Sequence, residues 1–353
     1  MKVKRDEHLV ETDNALVFLE RLDADAALAE RCERTDLEGR LRIASEIGLP
    51  VSEAEFRRAI RSWDYHGRWT RWQSAGRLAE AFDDLPELDG EYPVSDEAVA
   101  SYRRDGHLLL RQVVGPQEVE AYRPVVRDLV ARHNTQVDAR DQRPEERGYL
   151  QVVNLHMRSA AARRLVRSPR LGRIAARLLG VEAVRIYIDQ AFYKEPGGKM
   201  SHWHQDQLYY PLETERLVTM WLPLVDVSHE MGVVAYASGS HREGFLGFKP
   251  DRADAEEDHP RFVRRLGYPI WKPGQVMAGD ATYHHGWVVH GAYANRSDRM
   301  REVVVVIYYP DGTRIVEPSN EFQKRAIRYM WGEAAKPGEL AAGPTNPVVY
   351  SAG

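Results

Sequence analysis

A histidine and an aspartate stand two apart in Ser201-His202-Trp203-His204-Gln205-Asp206, at what reads as the end of a strand. Side chains at i and i+2 of a strand share a face, so an imidazole and a carboxylate placed this way can close on one divalent cation. The chain holds thirteen His, so an isolated H-x-D carries little weight, and His202-x-His204 has the same spacing. A second block, Gly279 to Arg301, adds His284, His285 and His290, then Arg296, Arg299 and Arg301 ahead of the β-branched run that ends at Tyr309. Two His and one carboxylate on one face, with other positions open, suit a non-haem Fe(II) oxygenase. An Arg adds a rigid fork of donors fitted to a carboxylate, such as the far end of a 2-oxo acid. Arg301 heads an apolar strand where an unpaired guanidinium is costly, whereas Arg296 and Arg299 fall in a turn that reads as exposed. A plain salt bridge from Arg301 to Glu302 or Asp280 is the structural alternative.

These residues resemble the phytanoyl-CoA dioxygenase family of Fe(II)/2-oxoglutarate oxygenases. The matching pieces are Trp203-His204-Gln205-Asp206-Gln207, the Gly-Ser-His of Ala237-Ser238-Gly239-Ser240-His241, and His290-Gly291 followed by Asn295, Ser297 and Arg301, in the family's order over roughly residues 93 to 315. The resemblance implies metal ligands His204, Asp206 and His290, with His202, His241, His284 and His285 outside the ligand set. It makes Arg301 the anchor for the distal carboxylate of 2-oxoglutarate. Gln190 and Trp221 are implied co-substrate contacts, and Ala292 replaces a Ser often found two after the distal His. The cofactor set implied is Fe(II) with 2-oxoglutarate and O2 as co-substrates.

The rest of the chain must position these groups. At 353 residues it is long for one domain and short for three, so one sizeable core with a smaller appendage is expected. A formal charge of -4 without a basic arm argues against nucleic acid as a partner. The single Cys32 excludes an internal disulfide and a Cys-rich zinc framework. No run approaches the ~20 apolar residues needed to span a bilayer, and the start does not read as a secretory signal, so a reducing cytoplasm is expected.

Residues 1–85 read as a helical N-terminal domain. Asn14 caps a helix with Leu16, Leu19 and Leu22 on one side, Leu37, Leu41 and Ala44 repeat the spacing before Gly48, and Ser52-Glu53-Ala54-Glu55 is a capping box opening a third helix. This packet resembles the Nif11-type segment of peptide leader regions through Ala15 to Leu19, Leu28 and Ile43 to Ser52. Trp63, Tyr65, Trp69 and Trp72, interleaved with Arg, read as interface packing rather than a nucleic-acid platform. Asp83 to Gly90 has the turn formers of a linker.

Residues 90–353 read as the oxygenase domain. Helices are expected over Ser95–Arg103, Gly115–Ala131 and Ser168 to about Gly180, a loop over His133–Gly148, and a lid over Ser240–Pro269. Strands are expected over Gly106–Val114, from Val184, and at Val218–Val227, Gly232–Ala237, Gln275–Ala278, Trp287–His290 and Val303–Tyr309. The fold class is therefore mainly β with helical additions. A double-sheet jelly roll follows the small helical domain, and the resemblance implies the same architecture, a double-stranded β-helix. Gln207, Tyr209, Tyr210, Trp287 and Tyr293 are the expected pocket lining.

The expected activity is hydroxylation of an unactivated C–H bond of a small natural-product intermediate, with decarboxylation of 2-oxoglutarate to succinate. Tailoring of a ribosomal peptide recognised through the helical domain, and a non-catalytic ligand-binding jelly roll, are the alternatives. Because Asp206 fills the carboxylate position, a halogenase that leaves that place to chloride is disfavoured.

Overall fold

The computed structural model describes residues 14–33, 35, 37–53, 55–56, 85–133, 149–247, 263 and 265–352. The aromatic cluster at 63–72, the loop at 134–148 and most of the expected lid, 248–262, lie outside them. The chain divides into two compact units, Met1–Leu78 and Ala79–Gly353.

In the first unit, helices α1 (Asn14–Ala24), α2 (Ala26–Glu33) and α3 (Leu37–Glu46) gather a small core of Phe18, Leu22, Leu28, Cys32, Ile43, Ala44, Leu49 and Phe56. Gly48 takes a positive φ after α3, as the left-handed exit from a helix requires. The expected capping box is made: Ser52 N–H donates to Glu55 Oε2 at 2.8 Å, and Glu55 N–H to Ser52 Oγ at 3.3 Å.

The second unit is a jelly roll of two antiparallel sheets. The larger runs β1 (His107–Leu110), β8 (Ala281–His285), β5 (Val218–Pro223), β10 (Val303–Pro310), β3 (Ala183–Lys194), β11 (Val348–Ser351), with β2 (Tyr149–Val153) also on β3. The smaller runs β4 (Ser201–His204), β9 (His290–Ala292), β6 (Val234–Ala237), β7 (Ile270–Trp271). Alternation along the large sheet sorts its side chains. One face, carrying Met220, Tyr283, Val304, Val306 and Tyr308, packs under the helices α4 (Asp96–Asp105), α5 (Pro116–His133), α6 (Leu155–Arg158), α7 (Ala160–Val166) and α8 (Pro169–Leu179). The other presents Trp221, Val303, Val305 and Ile307 to the interior of the roll.

The helices start and stop where their end residues dictate. Ser95 Oγ accepts from Ala98 N–H and Ser168 Oγ from Leu171 N–H, while Gly106 and Gly180 end their helices in the left-handed region. Three strand expectations are corrected. Gln275–Ala278 is not a strand, with only Val276 bridged to Val227, because the Asp280 and Asp226 carboxylates take the N–H groups of Met277 and Ala278. The strand expected over Trp287–His290 instead begins at His290, and a further strand, β8, precedes it. The alternation expected along Val184–Asp189 breaks at a bulge between Ile307 and Tyr308 of the paired strand, which puts Tyr187 and Ile188 together in the interior core.

Candidate active site

His204 ends β4 and His290 begins β9, and the two are directly opposed in the small sheet. Gly291 permits the approach: a Cβ there would stand 3.0 Å from Ser201 O and 3.2 Å from Trp203 Cγ. Asp206 is not on the strand as expected but opens the 3-10 turn Asp206–Tyr209. Gln205 between them keeps an extended backbone (φ -125°, ψ 118°), which preserves the shared face.

One donor atom from each of His204, Asp206 and His290 lies within 4.8 Å of the others. His204 Nε2 stands 3.2 Å and His290 Nε2 3.7 Å from Asp206 Oδ1. Donors about 2.1 Å from a shared ion and at right angles stand about 3 Å apart, so the spacing fits a single metal. Each imidazole donates its Nδ1–H to a carbonyl two residues earlier, His204 to His202 O at 2.8 Å and His290 to Val288 O at 3.1 Å. Those bonds fix the tautomer and leave both Nε2 lone pairs for the ion. Burial and the neighbouring imidazoles hold His290 well below the ordinary histidine pKa, so it is neutral, as a ligand must be. Burial pulls His204 down too, but the Asp206 carboxylate outweighs it and the net shift is upward. Burial pushes Asp206 up, yet the surrounding imidazoles hold it well below the carboxylate range, so it stays ionised.

Arg301 is fully buried and, with His204, Asp206 and His290, lines one cavity of about 430 Å³. Its Nη1 donates to Gly232 O at 2.7 Å, while among the described residues Nε and Nη2 have no partner. The guanidinium lies over the rings of Phe192 and Trp221, 6.0 and 5.9 Å from their centroids. Burial lowers its pKa to about 10, which leaves it charged at neutral pH. The salt-bridge alternatives are taken elsewhere: Glu302 binds Arg123 and Asp280 binds Arg111, each at 2.7 Å. A buried cation with two unmet nitrogens, stacked between aromatic walls, suits a carboxylate ligand.

Gln190 and Trp221 both line this cavity; Gln190 Oε1 accepts from Gln151 Nε2, another lining residue. Tyr209 and Tyr210 line it as expected, whereas Gln207, Trp287 and Tyr293 are absent from the described lining. Gln207 instead turns its amide to Thr214 O at 3.0 Å. His284, weighed as a rival ligand, approaches the other carboxylate oxygen, its Nε2 lying 3.1 Å from Asp206 Oδ2. Thr219 Oγ1 donates to that oxygen at 2.7 Å. Sequence reasoning missed Thr219 and Gln151, which become neighbours of the site only through strand pairing.

A jelly roll that gathers two His, one Asp and a buried Arg in one cavity defines a 2-oxoglutarate-dependent non-haem iron oxygenase. The profile of the phytanoyl-CoA dioxygenase (PhyH) family matches residues 102–303, and the chain belongs to that family. Among its relatives, a probable alpha-ketoglutarate-dependent hypophosphite dioxygenase of Stutzerimonas stutzeri is 27% identical over 44% of this chain and 56% of its own length. Ectoine dioxygenase of Nocardia farcinica is 27% identical over 69% of this chain and 87% of its own. Among solved structures, the carbocyclase SnoK from nogalamycin biosynthesis superposes with a TM-score of 0.59 at 26% identity, covering 73% of this chain and 99% of that one. The cofactor is Fe(II), with 2-oxoglutarate and O2 as co-substrates. No helix among the described residues is long and apolar enough to cross a membrane.

Proposed function

We propose that this enzyme hydroxylates an unactivated C–H bond of a small natural-product intermediate while converting 2-oxoglutarate to succinate and CO2. The observation that carries the reading is the common cavity: His204, Asp206 and His290 converge at one place in it, and Arg301 offers two unpartnered nitrogens elsewhere on its wall. His204, Asp206 and His290 are the Fe(II) ligands. Arg301 receives the distal carboxylate of the co-substrate, with Trp221 as a wall and Gln190 as an amide contact. Bound Fe(II), 2-oxoglutarate and O2 together supply the oxidising power. The protein orients the C–H bond and excludes water.

Size and lining support a compact substrate. A volume of about 430 Å³ shared with a five-carbon diacid leaves space for a small ring system beside the co-substrate. Among the described lining residues, Asp206 supplies the carboxylate and Arg301 the cationic side chain. Tyr209, Tyr210, Ser201 and Gln151 offer uncharged polar groups. That composition favours a neutral, hydroxyl-bearing substrate. The carbocyclase similarity extends the range of outcomes, since ring closure starts from the same set of ligands.

Mixing the protein anaerobically with Fe(II) and 2-oxoglutarate is expected to develop the weak visible charge-transfer band of a chelated keto acid, and His290→Ala to abolish it. In air, succinate release screened over a substrate panel then identifies the compound that stimulates turnover. No band and no succinate would leave a ligand-binding jelly roll.

A further inference from the structure

We infer that Thr219 and His284 are positioning residues that restrict Asp206 to a single metal-facing oxygen. The inference rests on the ligand set proposed above and concerns what holds one of its members. Thr219 on β5 and His284 on β8 are direct cross-strand partners in the large sheet, so their side chains emerge side by side on the interior face. Both point at one atom, Asp206 Oδ2, from 2.7 Å (Thr219 Oγ1) and 3.1 Å (His284 Nε2). The other oxygen, Oδ1, is the one that faces His204 and His290. The two donors therefore occupy both lone pairs of Oδ2 and none of Oδ1.

The chemistry of each donor makes the arrangement directional. An ionised carboxylate only accepts, so the His284 nitrogen that meets it carries the proton. His284 Nε2 is then unavailable to a metal, which separates His284 from His290 although their rings stand 4.1 Å apart. The remaining nitrogen, Nδ1, is buried and has no partner among the described residues, so the bond to Asp206 is what orients this ring. If Asp206 rotated to offer Oδ2 as a second ligand, it would strand a buried hydroxyl and a buried N–H at once. Chelation by Asp206 is thereby opposed, and the coordination place it would fill stays open for the keto acid. The ligands come from one sheet and the turn that follows β4; the restraint comes from the other sheet.

Anaerobic Fe(II) titration of the full chain, followed calorimetrically, tests this. Thr219→Val keeps the shape and removes the donor; His284→Leu removes the other. Each is expected to weaken Fe(II) binding by about 10-fold or more, the range seen when partners of metal ligands are lost. Thr219→Ser, which keeps the hydroxyl, is expected to stay within about 2-fold of the parent. In the 2-oxoglutarate titration of Fe(II)-loaded Thr219→Val, the visible band is expected to shift in position as well as in affinity, because Oδ2 is released. Parent-like Fe(II) binding by Thr219→Val, or equal damage from Ser and Val, overturns the inference while the ligand set stands. Absence of Fe(II) binding by the parent overturns the ligand set itself. Should His284→Leu fail to fold, the near-isosteric Thr219 pair decides the matter alone.

Discussion

Two basic side chains are buried beside each other at positions 194 and 301, whose backbones exchange N–H···O bonds of 2.9 Å. They coexist because only one needs to be charged. Burial, assisted by the Arg301 charge, lowers Lys194 to about 5, so at neutral pH it is an uncharged amine donating to Tyr293 O at 2.7 Å. An unfolded lysine titrates near 10.4, so between about pH 5 and pH 10 the unfolded chain binds more protons at this position than the folded one. Stability contributed by Lys194 therefore rises with pH across that window and falls as pH drops toward 5. Replacing it by Met removes the term and leaves Tyr293 O without a donor at every pH. The Lys194→Met protein is accordingly expected to gain more in melting temperature relative to the parent at pH 6 than at pH 9, measured by calorimetry. An equal change at both values would mean the amine is charged in the fold. None of this is legible from the sequence, in which Lys194 is one base among 49 Lys and Arg. His204, Asp206, His290 and Arg301 could be singled out there because their order and spacing resemble the motifs of the phytanoyl-CoA dioxygenase family. Thr219 could not, because a threonine in an apolar run reads simply as strand.

Elements were readable where the local chain dictates them. Ser95 and Ser168 open their helices and Gly180 closes one as the sequence implies, whereas Gly106, which reads as the first residue of a strand, closes the helix before it in the left-handed region. Strand β8, Ala-Thr-Tyr-His-His, passed unnoticed because its interior face carries Thr282 and His284, and polar groups facing a polar site hide the alternation. The turn after β4 depends on an element more than a hundred residues away. Helix α9 (Glu321–Trp331) and its cap send Gln323 Nε2 and Asn320 Nδ2 to the same carbonyl, Leu208 O, both at 3.1 Å. Phe322 of this helix meets the Tyr209 ring edge-on at 5.4 Å. Gln323 is 8% exposed and its Oε1 also accepts from Ser319 N–H at 2.8 Å, so it ties the cap and the turn together. Gln323→Leu is expected to destabilise the protein by about 1–3 kcal/mol, the penalty for buried polar groups left unpaired. It should also weaken Fe(II) binding, because the turn that carries Asp206 loses its brace. Denaturant unfolding and Fe(II) titration of the one variant check both. Lost stability with unchanged metal affinity would make α9 a structural element only.

The whole chain separates function from appendage more sharply than its length suggests. Every residue of the candidate site, and both faces of the large sheet, belong to Ala79–Gly353, while the core around Phe18 and Phe56 is closed within Met1–Leu78. The family match, residues 102–303, also lies inside the second unit. Each unit thus has its own apolar interior, the usual condition for folding alone. A protein beginning at Ala79 is expected to fold cooperatively, to develop the same visible band with Fe(II) and 2-oxoglutarate as the full chain, and to bind the keto acid with unchanged affinity. If the helical unit docks a peptide, calorimetry with leader peptides will show binding by the full chain and none by the shortened one, and the peptide will raise succinate release only when the unit is attached. A small-molecule hydroxylase predicts the opposite: the shortened chain responds to the same substrate as the full one, because the described residues that line the cavity all lie beyond position 150. Loss of the band on shortening would show that the oxygenase unit does not stand alone.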